Sequence, residues 1–295
     1  MQKRVHPILI RAVILAAVFC VALLVTAVLF ATDNSVFHRL LTLTKHAWQP
    51  PKIFGAFHLC SLALCIVLTV AVGACYKRLQ KYLDSIVFVA GLILFVLELY
   101  KQLFYAFAIG NGSYNFGILP LQFCSYALYL FLFVPLLPEG KIKNALYLFC
   151  GLFQTAGGVI VISYPLMYNQ LSLCVHSMVW HSVMIATGTL ILFARGYGDR
   201  YWKEILPATT VFLPTVVIAV TLNYALYPLS GNSLQPLNLF YLSPYSVTHY
   251  VLIKDVQVHL GWFPAVLCYV LLFVFLGATT VWGIVKILQK LRVLH

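Results

Sequence analysis

Runs of about 20 apolar residues recur along the whole of this chain, and each is long enough to cross a bilayer as a helix. The first reads LIRAVILAAVFCVALLVTAVLFA, roughly residues 9–31. Others follow at roughly 54–75, 84–108, 118–137, 143–165, 173–195, 206–227 and 262–285, with short loops between them except at 32–53 and 228–261. The pattern predicts an all-α, polytopic transmembrane bundle of about eight spans in a single domain, 1–295. Residues 1–53 would form the first span and an external loop, 54–285 the helical core, and 286–295 a tail. Composition agrees. The 295 residues are 62% hydrophobic and 9% charged, with mean hydropathy +0.95. A soluble domain carries about 25% charged residues, so a water-soluble fold is excluded.

The net charge of +12 acquires a meaning once it is mapped onto the spans. With the N-terminus placed in the cytoplasm, 14 of the 19 basic residues fall on the inner side. They are Lys3, Arg4, Arg11, Lys77, Arg78, Lys81, Lys141, Lys143, Arg195, Arg200, Lys203, Lys286, Lys290 and Arg292. Arg39, Lys45, Lys52 and Lys254 fall outside, and Lys101 sits within a span. This bias obeys the positive-inside rule and predicts both termini in the cytoplasm of an integral membrane protein. It reads as a topology and anionic-lipid signal, not a nucleic-acid footprint. The apolar run from Ala12 to Ala31 exceeds the 7–15 residue core of a signal peptide, so a membrane anchor is expected in place of a cleaved leader. Asn111-Gly112-Ser113 matches a glycosylation acceptor in a very short external loop and is assigned no role. The segment 228–261 is rich in Pro, Ser and Tyr and too polar to span cleanly. An external loop with a short interfacial helix fits it, since Tyr favours the headgroup zone; a hairpin there would change the span count by one.

Eight cysteines (Cys20, Cys60, Cys65, Cys75, Cys124, Cys150, Cys174 and Cys268) form no CxxC pair and no metal-ligand spacing with histidine. Most lie in apolar runs, where Cys behaves as a small hydrophobe. No metal, no other cofactor and no disulfide is implied.

Polar groups inside a bilayer are costly and mark functional sites by default. Here they fall on one side. Glu98, Lys101 and Gln102 lie past the middle of the outward-running third span. Gln122 and Cys124 lie near the external start of the fourth, and Gln154 in the fifth. His176 and His181 lie in the outer half of the sixth, Asn223 near the outer end of the seventh, and His58 at the start of the second. The clustering predicts a polar cavity open to the external face or outer leaflet. Each member also has a structural reading. Glu98 and Lys101, spaced i,i+3, can simply pair. The amides can bridge helices, and His58 can be an interfacial residue. His176 and His181 point roughly 140° apart on a helix and should not both face the cavity centre, a poor spacing for a shared metal. His181 lies deeper and is favoured as the functional one.

Cys124 sits in LPLQFCS, residues 119–125. A lone thiol in a span is more often inert than catalytic. A base within reach would change that, and His181 is the candidate; Glu98 or Gln154 could orient it, and Gln122 or Asn223 could donate to an oxyanion. Pro120 loosens the start of the span.

LPLQFCS resembles the LPLHLCS-type motif of the YwaF-like integral membrane proteins. FGAFHLCSLAL (54–64), HSMVWHSVMIATG (176–188) and NYALYPLSGNSLQPLNLFYLSPYSVTHYVL (223–252) are similar to other segments of that family in the same order, so the likeness covers roughly 54–285. A related animal membrane protein is a cysteine-dependent acyltransferase of ether-phospholipid metabolism. The resemblance therefore implies that Cys124 takes an acyl group from a membrane lipid and that His181 acts as base. Gln122 stands where the motif commonly has His; an amide cannot serve as a general base but can donate a hydrogen bond. SPYSVTHY lacks the family's usual tryptophan. Other classes compatible with the polar cluster are a small-solute transporter or channel and a ligand-sensing heptahelical protein. The dry inner halves and the lack of an inverted repeat count against transport, and no lysine in the seventh span offers a retinal Schiff base.

Overall fold

A computed structural model describes residues 7–32, 36–46, 48–110, 112–230, 236–248 and 250–290. Asn111, Lys3, Arg4, Arg292 and the end of the tail lie outside the described residues. The described chain is helical, and no strand element forms within it. Seven helices are long and apolar enough to cross a membrane: α1 Pro7–Ala31, α3 Ala56–Ala74, α4 Tyr76–Ile109, α6 Lys141–Ser163, α7 Leu171–Ala194, α8 Tyr201–Ser230 and α10 Trp262–Lys290. An eighth apolar helix, α5 Phe123–Leu136, is shorter. Two small helices complete the set, α2 Val36–Leu43 and α9 Val251–Leu260. The protein is a polytopic helical membrane protein, and all eight expected spans are present as helices.

The fourth span differs from its expected extent of 118–137. Pro120 lacks an amide hydrogen and disfavours helix in the residue before it. Leu119 is accordingly extended (φ −47°, ψ 129°), as is Gln122 (φ −64°, ψ 156°), and regular helix begins only after a tight turn at Phe123–Ser125. Cys124 therefore lies in the opening turn of α5, at the end of a non-helical run.

α4 packs closely on α5 because Gly91 faces it; a Cβ there would come within 2.8 Å of the Leu132 and Phe131 backbone. Small residues permit such approach where lipid supplies no hydrophobic drive between helices. The core itself is aromatic. Phe123 meets Phe149, Phe212, Phe240 and Phe273 edge-on, at centroid distances of 4.8–6.1 Å. That geometry suits the ring quadrupoles. α6 and α10 each carry a π-helical stretch, Cys150–Gln154 and Leu272–Ala278, and α4 ends in a third, Phe104–Ile109.

One end of the bundle is tied by charge. Lys143 Nζ reaches Asp84 at 2.7 Å and Glu139 at 2.9 Å. Arg195 grips both Glu139 oxygens at 2.8 and 3.1 Å. Arg11 donates to the Pro135 carbonyl at 2.9 Å, and Tyr147 to Asp84 at 2.6 Å. The network gathers the starts of α1, α4 and α6 with the ends of α5 and α7, as alternating spans require.

Candidate functional site

Toward the other end lies a cavity of about 650 Å³. On α4, Glu98 and Lys101 line it some four turns from Asp84, roughly 20 Å along the axis. Gln122 and Cys124 enter from the start of α5, and His176 and His181 from α7. Six of the residues singled out from sequence thus share one cavity. The rest of its wall is largely apolar and aromatic, including Trp180, Tyr241, Tyr250 and Tyr269.

Cys124 is held from three sides. Its neighbour Phe123 is the hub of the aromatic core. The Phe123 carbonyl accepts from Gln154 Nε2 at 3.0 Å, and the Cys124 carbonyl accepts from Trp180 Nε1 at 3.2 Å. The second bond joins the turn bearing the thiol to the residue just before His181. Gln154 therefore acts on the Cys124 turn rather than on a histidine, and its own Oε1 is buried without a partner.

The His181 tautomer follows from its single hydrogen bond. Nδ1 lies 2.7 Å from the Ser177 carbonyl oxygen, which can only accept, so Nδ1 carries the proton. The lone pair then resides on Nε2. Among the described residues no hydrogen bond joins either histidine to Cys124; all three line the same cavity. His176 also lines it, which corrects the expectation that only one of the pair would do so. The cavity wraps an arc of α7 that runs through Leu173, His176, Ser177, Trp180 and His181, wide enough to take in both. His176 stacks on Trp180, with centroids 5.5 Å apart.

Glu98 is an unequal carboxylate. Oε1 receives Lys101 at 2.9 Å and Gln102 at 2.6 Å, while Oε2 is buried with no partner among the described residues. His176 Nε2 is likewise buried and unpartnered. An unsatisfied buried polar atom costs about 1–3 kcal/mol, and two of those in the described residues belong to side chains lining this cavity. Gln102 is behind the wall, donating also to the Ile118 carbonyl at 2.8 Å.

Two expected site residues serve another purpose. Gln122 donates to the Asn238 carbonyl at 2.9 Å and accepts from Phe240 N at 2.8 Å. Asn223 donates to the Leu239 carbonyl at 3.0 Å and accepts from Leu239 N at 2.7 Å. These side chains mimic a backbone ladder and draw the 236–248 segment into the bundle. Leu237, Leu239, Phe240, Leu242 and Ser243 are all buried, so this stretch folds inward instead of lying outside as a simple loop. The expected short interfacial helix follows it as α9. Phe240 and Tyr241 adopt φ of 56° and 57°, a strained region for bulky residues. The amide clamp and the packing of Phe240 on Phe123, Tyr126 and Tyr269 hold them there. Both amides, considered as oxyanion donors from sequence, are committed to this clamp. His58 is a correction too: it is fully buried away from the cavity. Its Nδ1 accepts from Phe54 N at 2.9 Å and its Nε2 lies 2.8 Å from the Ile162 carbonyl, stapling α3 to the end of α6.

The tyrosines of the cavity wall and the inward-folded segment were not singled out from sequence. The signal was the Tyr- and Pro-rich composition of 228–261, which marked the segment as unusual without giving its path. Among the described residues no group of three or more His, Cys, Asp or Glu side chains is placed to hold a metal ion. Compared with family models, curated proteins and solved structures, the chain finds no significant match.

Proposed function

We propose that this membrane protein is a thiol-dependent acyl-transfer enzyme acting on bilayer lipid, as the resemblance of LPLQFCS to the YwaF-like motif implies. The observation that carries the reading is the shared cavity: Cys124 and His181 line it together, and the Ser177 carbonyl leaves His181 Nε2 with its lone pair free. In the first half-reaction Nε2 takes the Cys124 proton and the sulfur adds to an ester carbonyl of the lipid. The tetrahedral adduct collapses to a thioester. Its alkoxide leaves with the proton from the imidazolium, giving a lysolipid. In the second, a lysolipid hydroxyl or water gives its proton to Nε2 and its oxygen attacks the thioester. The thiolate departs and is reprotonated. Glu98 Oε2, Lys101 and His176 form the polar bay where a headgroup or ester would rest.

The positive-inside pattern supports a cytoplasmic position for the charge-paired end, where exposed Lys77, Arg78, Lys81, Lys141, Lys203 and Lys286 would meet anionic headgroups. The test of the activity is direct. Purified wild-type protein and Cys124→Ala are incubated with a labelled diacyl phospholipid and a lysolipid in vesicles. Acyl exchange by the wild type alone supports the reading; equal exchange by both proteins ends it. Exchange by neither, with saturable lipid binding, favours a sensor or transporter.

A further inference from the structure

We infer that the cavity opens sideways into the bilayer between α6 and the 236–248 segment, and that the acyl chain of a membrane lipid occupies this mouth. The inference rests on the lipid reading above but not on catalysis. The cavity lining runs from deeply buried residues through half-buried ones to exposed ones. Phe123, His181, Phe240 and Tyr269 are 5%, 8%, 1% and 2% exposed. Ile160, Leu166, Val247 and Tyr164 are 39%, 49%, 51% and 72% exposed, and these form a rim.

The rim is apolar and aromatic, and it is continuous with the lipid-covered surface. Ile160 follows exposed Val159 on α6, a membrane-spanning helix. Across the gap, Val247 leads toward exposed Val251 and Leu252 at the start of α9. Tyr164 stands just beyond α6, where a tyrosine suits the headgroup boundary. The charged lining residues among those described, Glu98 and Lys101, lie on α4, which carries none of the rim residues.

Inward from the rim the lining continues toward the thiol: Gly157, about one turn before Ile160 on α6, and Phe123, which precedes Cys124, line the same cavity. The Phe123 ring packs directly on Gly157, where a Cβ would come within 2.5 Å of it. The volume suits a small molecule rather than a partner helix. An amphiphile entering here would leave its acyl chain in the apolar mouth and turn its ester toward Cys124.

The test reads chemical access to Cys124 and needs no turnover. Protein in vesicles is treated with a hexadecyl maleimide dissolved in the bilayer or with a small charged methanethiosulfonate added in water. Modification at the Cys124 peptide is followed by mass spectrometry. Ile160→Trp and Val247→Trp, on lipid-exposed positions that tolerate bulk, should each slow the hexadecyl reagent on the order of tenfold, by analogy with steric discrimination in apolar pockets. The small reagent should be unaffected, which also reports that the site is intact. Ile160→Ala should leave or quicken the long-chain reaction. Equal hexadecyl rates in wild type and both Trp variants would overturn the lateral mouth, as would parallel loss of both reagents or no hexadecyl labelling of wild type. Any of these could occur with acyl transfer by Cys124 intact, and a selective loss could occur with Cys124→Ala fully active, so the two readings fail separately.

Discussion

The two ends of this bundle treat polar groups in opposite ways. At the charge-paired end, Lys143 is buried yet has two carboxylate partners, and Arg195 closes a bidentate pair with Glu139. At the cavity end, Glu98 Oε2 and His176 Nε2 are buried with no partner among the described residues, and the His181 hydrogen bond to Ser177 uses only one ring nitrogen. Buried polar atoms are normally satisfied. A network closed on itself fixes helix order, while an open set is available to something else. The difference separates the two ends better than charge alone does, because both bury charged side chains, Lys143 at one and Glu98 at the other.

The comparison is most sharply tested at the clamp, where polar groups of the cavity end do close on each other. Asn223→Ala would leave the Leu239 N–H and C=O unpaired in a buried site. At about 1–3 kcal/mol per orphaned group, a loss of about 2–6 kcal/mol is expected, seen as a lower unfolding temperature in detergent. Hydrogen exchange should rise first in 237–243, since the strained Phe240 and Tyr241 backbone would lose its restraint. Unchanged exchange there would show that packing of Phe240 suffices.

The contrast between closed and open networks predicts unequal responses to charge removal. Lys143→Met leaves Asp84 and Glu139 facing each other without their shared cation. Hydrogen bonds to charged groups are worth about 1.5–3 kcal/mol, and a loss of that size in thermal stability is expected, with Cys124 labelling unchanged. Glu98→Gln keeps an acceptor for Lys101 and Gln102 but leaves the largely buried Lys101 without its counter-ion, so it too should lower thermal stability. Its distinguishing effect should be on lipid binding, read by saturation with labelled phospholipid, which Lys143→Met should leave unchanged. Equal effects of the two variants on lipid binding would erase the distinction between the ends.

The sequence made the bundle legible because length and hydropathy alone decide a membrane span; seven long helices and the short α5 fall where apolar runs predict them. Depth along those spans also brought Glu98, Lys101, Gln122, Cys124, His176 and His181 to one cavity. What hydropathy does not encode is which polar group faces which. Asn223, Gln154 and His58 were as polar as the lining residues, yet each is turned to a backbone group away from the cavity, and Gln122 lines it while bonded to the 238–240 backbone. The path of 236–248 was hidden for the same reason, since it is drawn inward by two amides on other helices and has no periodicity of its own. The shortening of α5 was legible in principle, because Pro120 restricts Leu119 locally.

The smallest effect should come from acid at the charge-paired end. Hydrogen bonding from Arg195, aided by Lys143, holds the Glu139 carboxyl down to about 2, from an ordinary 4.5. A depressed carboxyl contributes stability that is fully present above its unfolded value and is lost as pH falls through the folded one, because the unfolded chain binds the proton first. The window is therefore between about 4.5 and 2, with stability rising as pH rises through it. Glu139 is mostly exposed, with its side chain at 66%, so solvent and salt screen the pair. The unfolding temperature should fall only slightly between pH 5 and 3, and less in high salt. Glu139→Gln should flatten that slope. A slope unchanged by the substitution would show that the Glu139 pair does not carry the acid response.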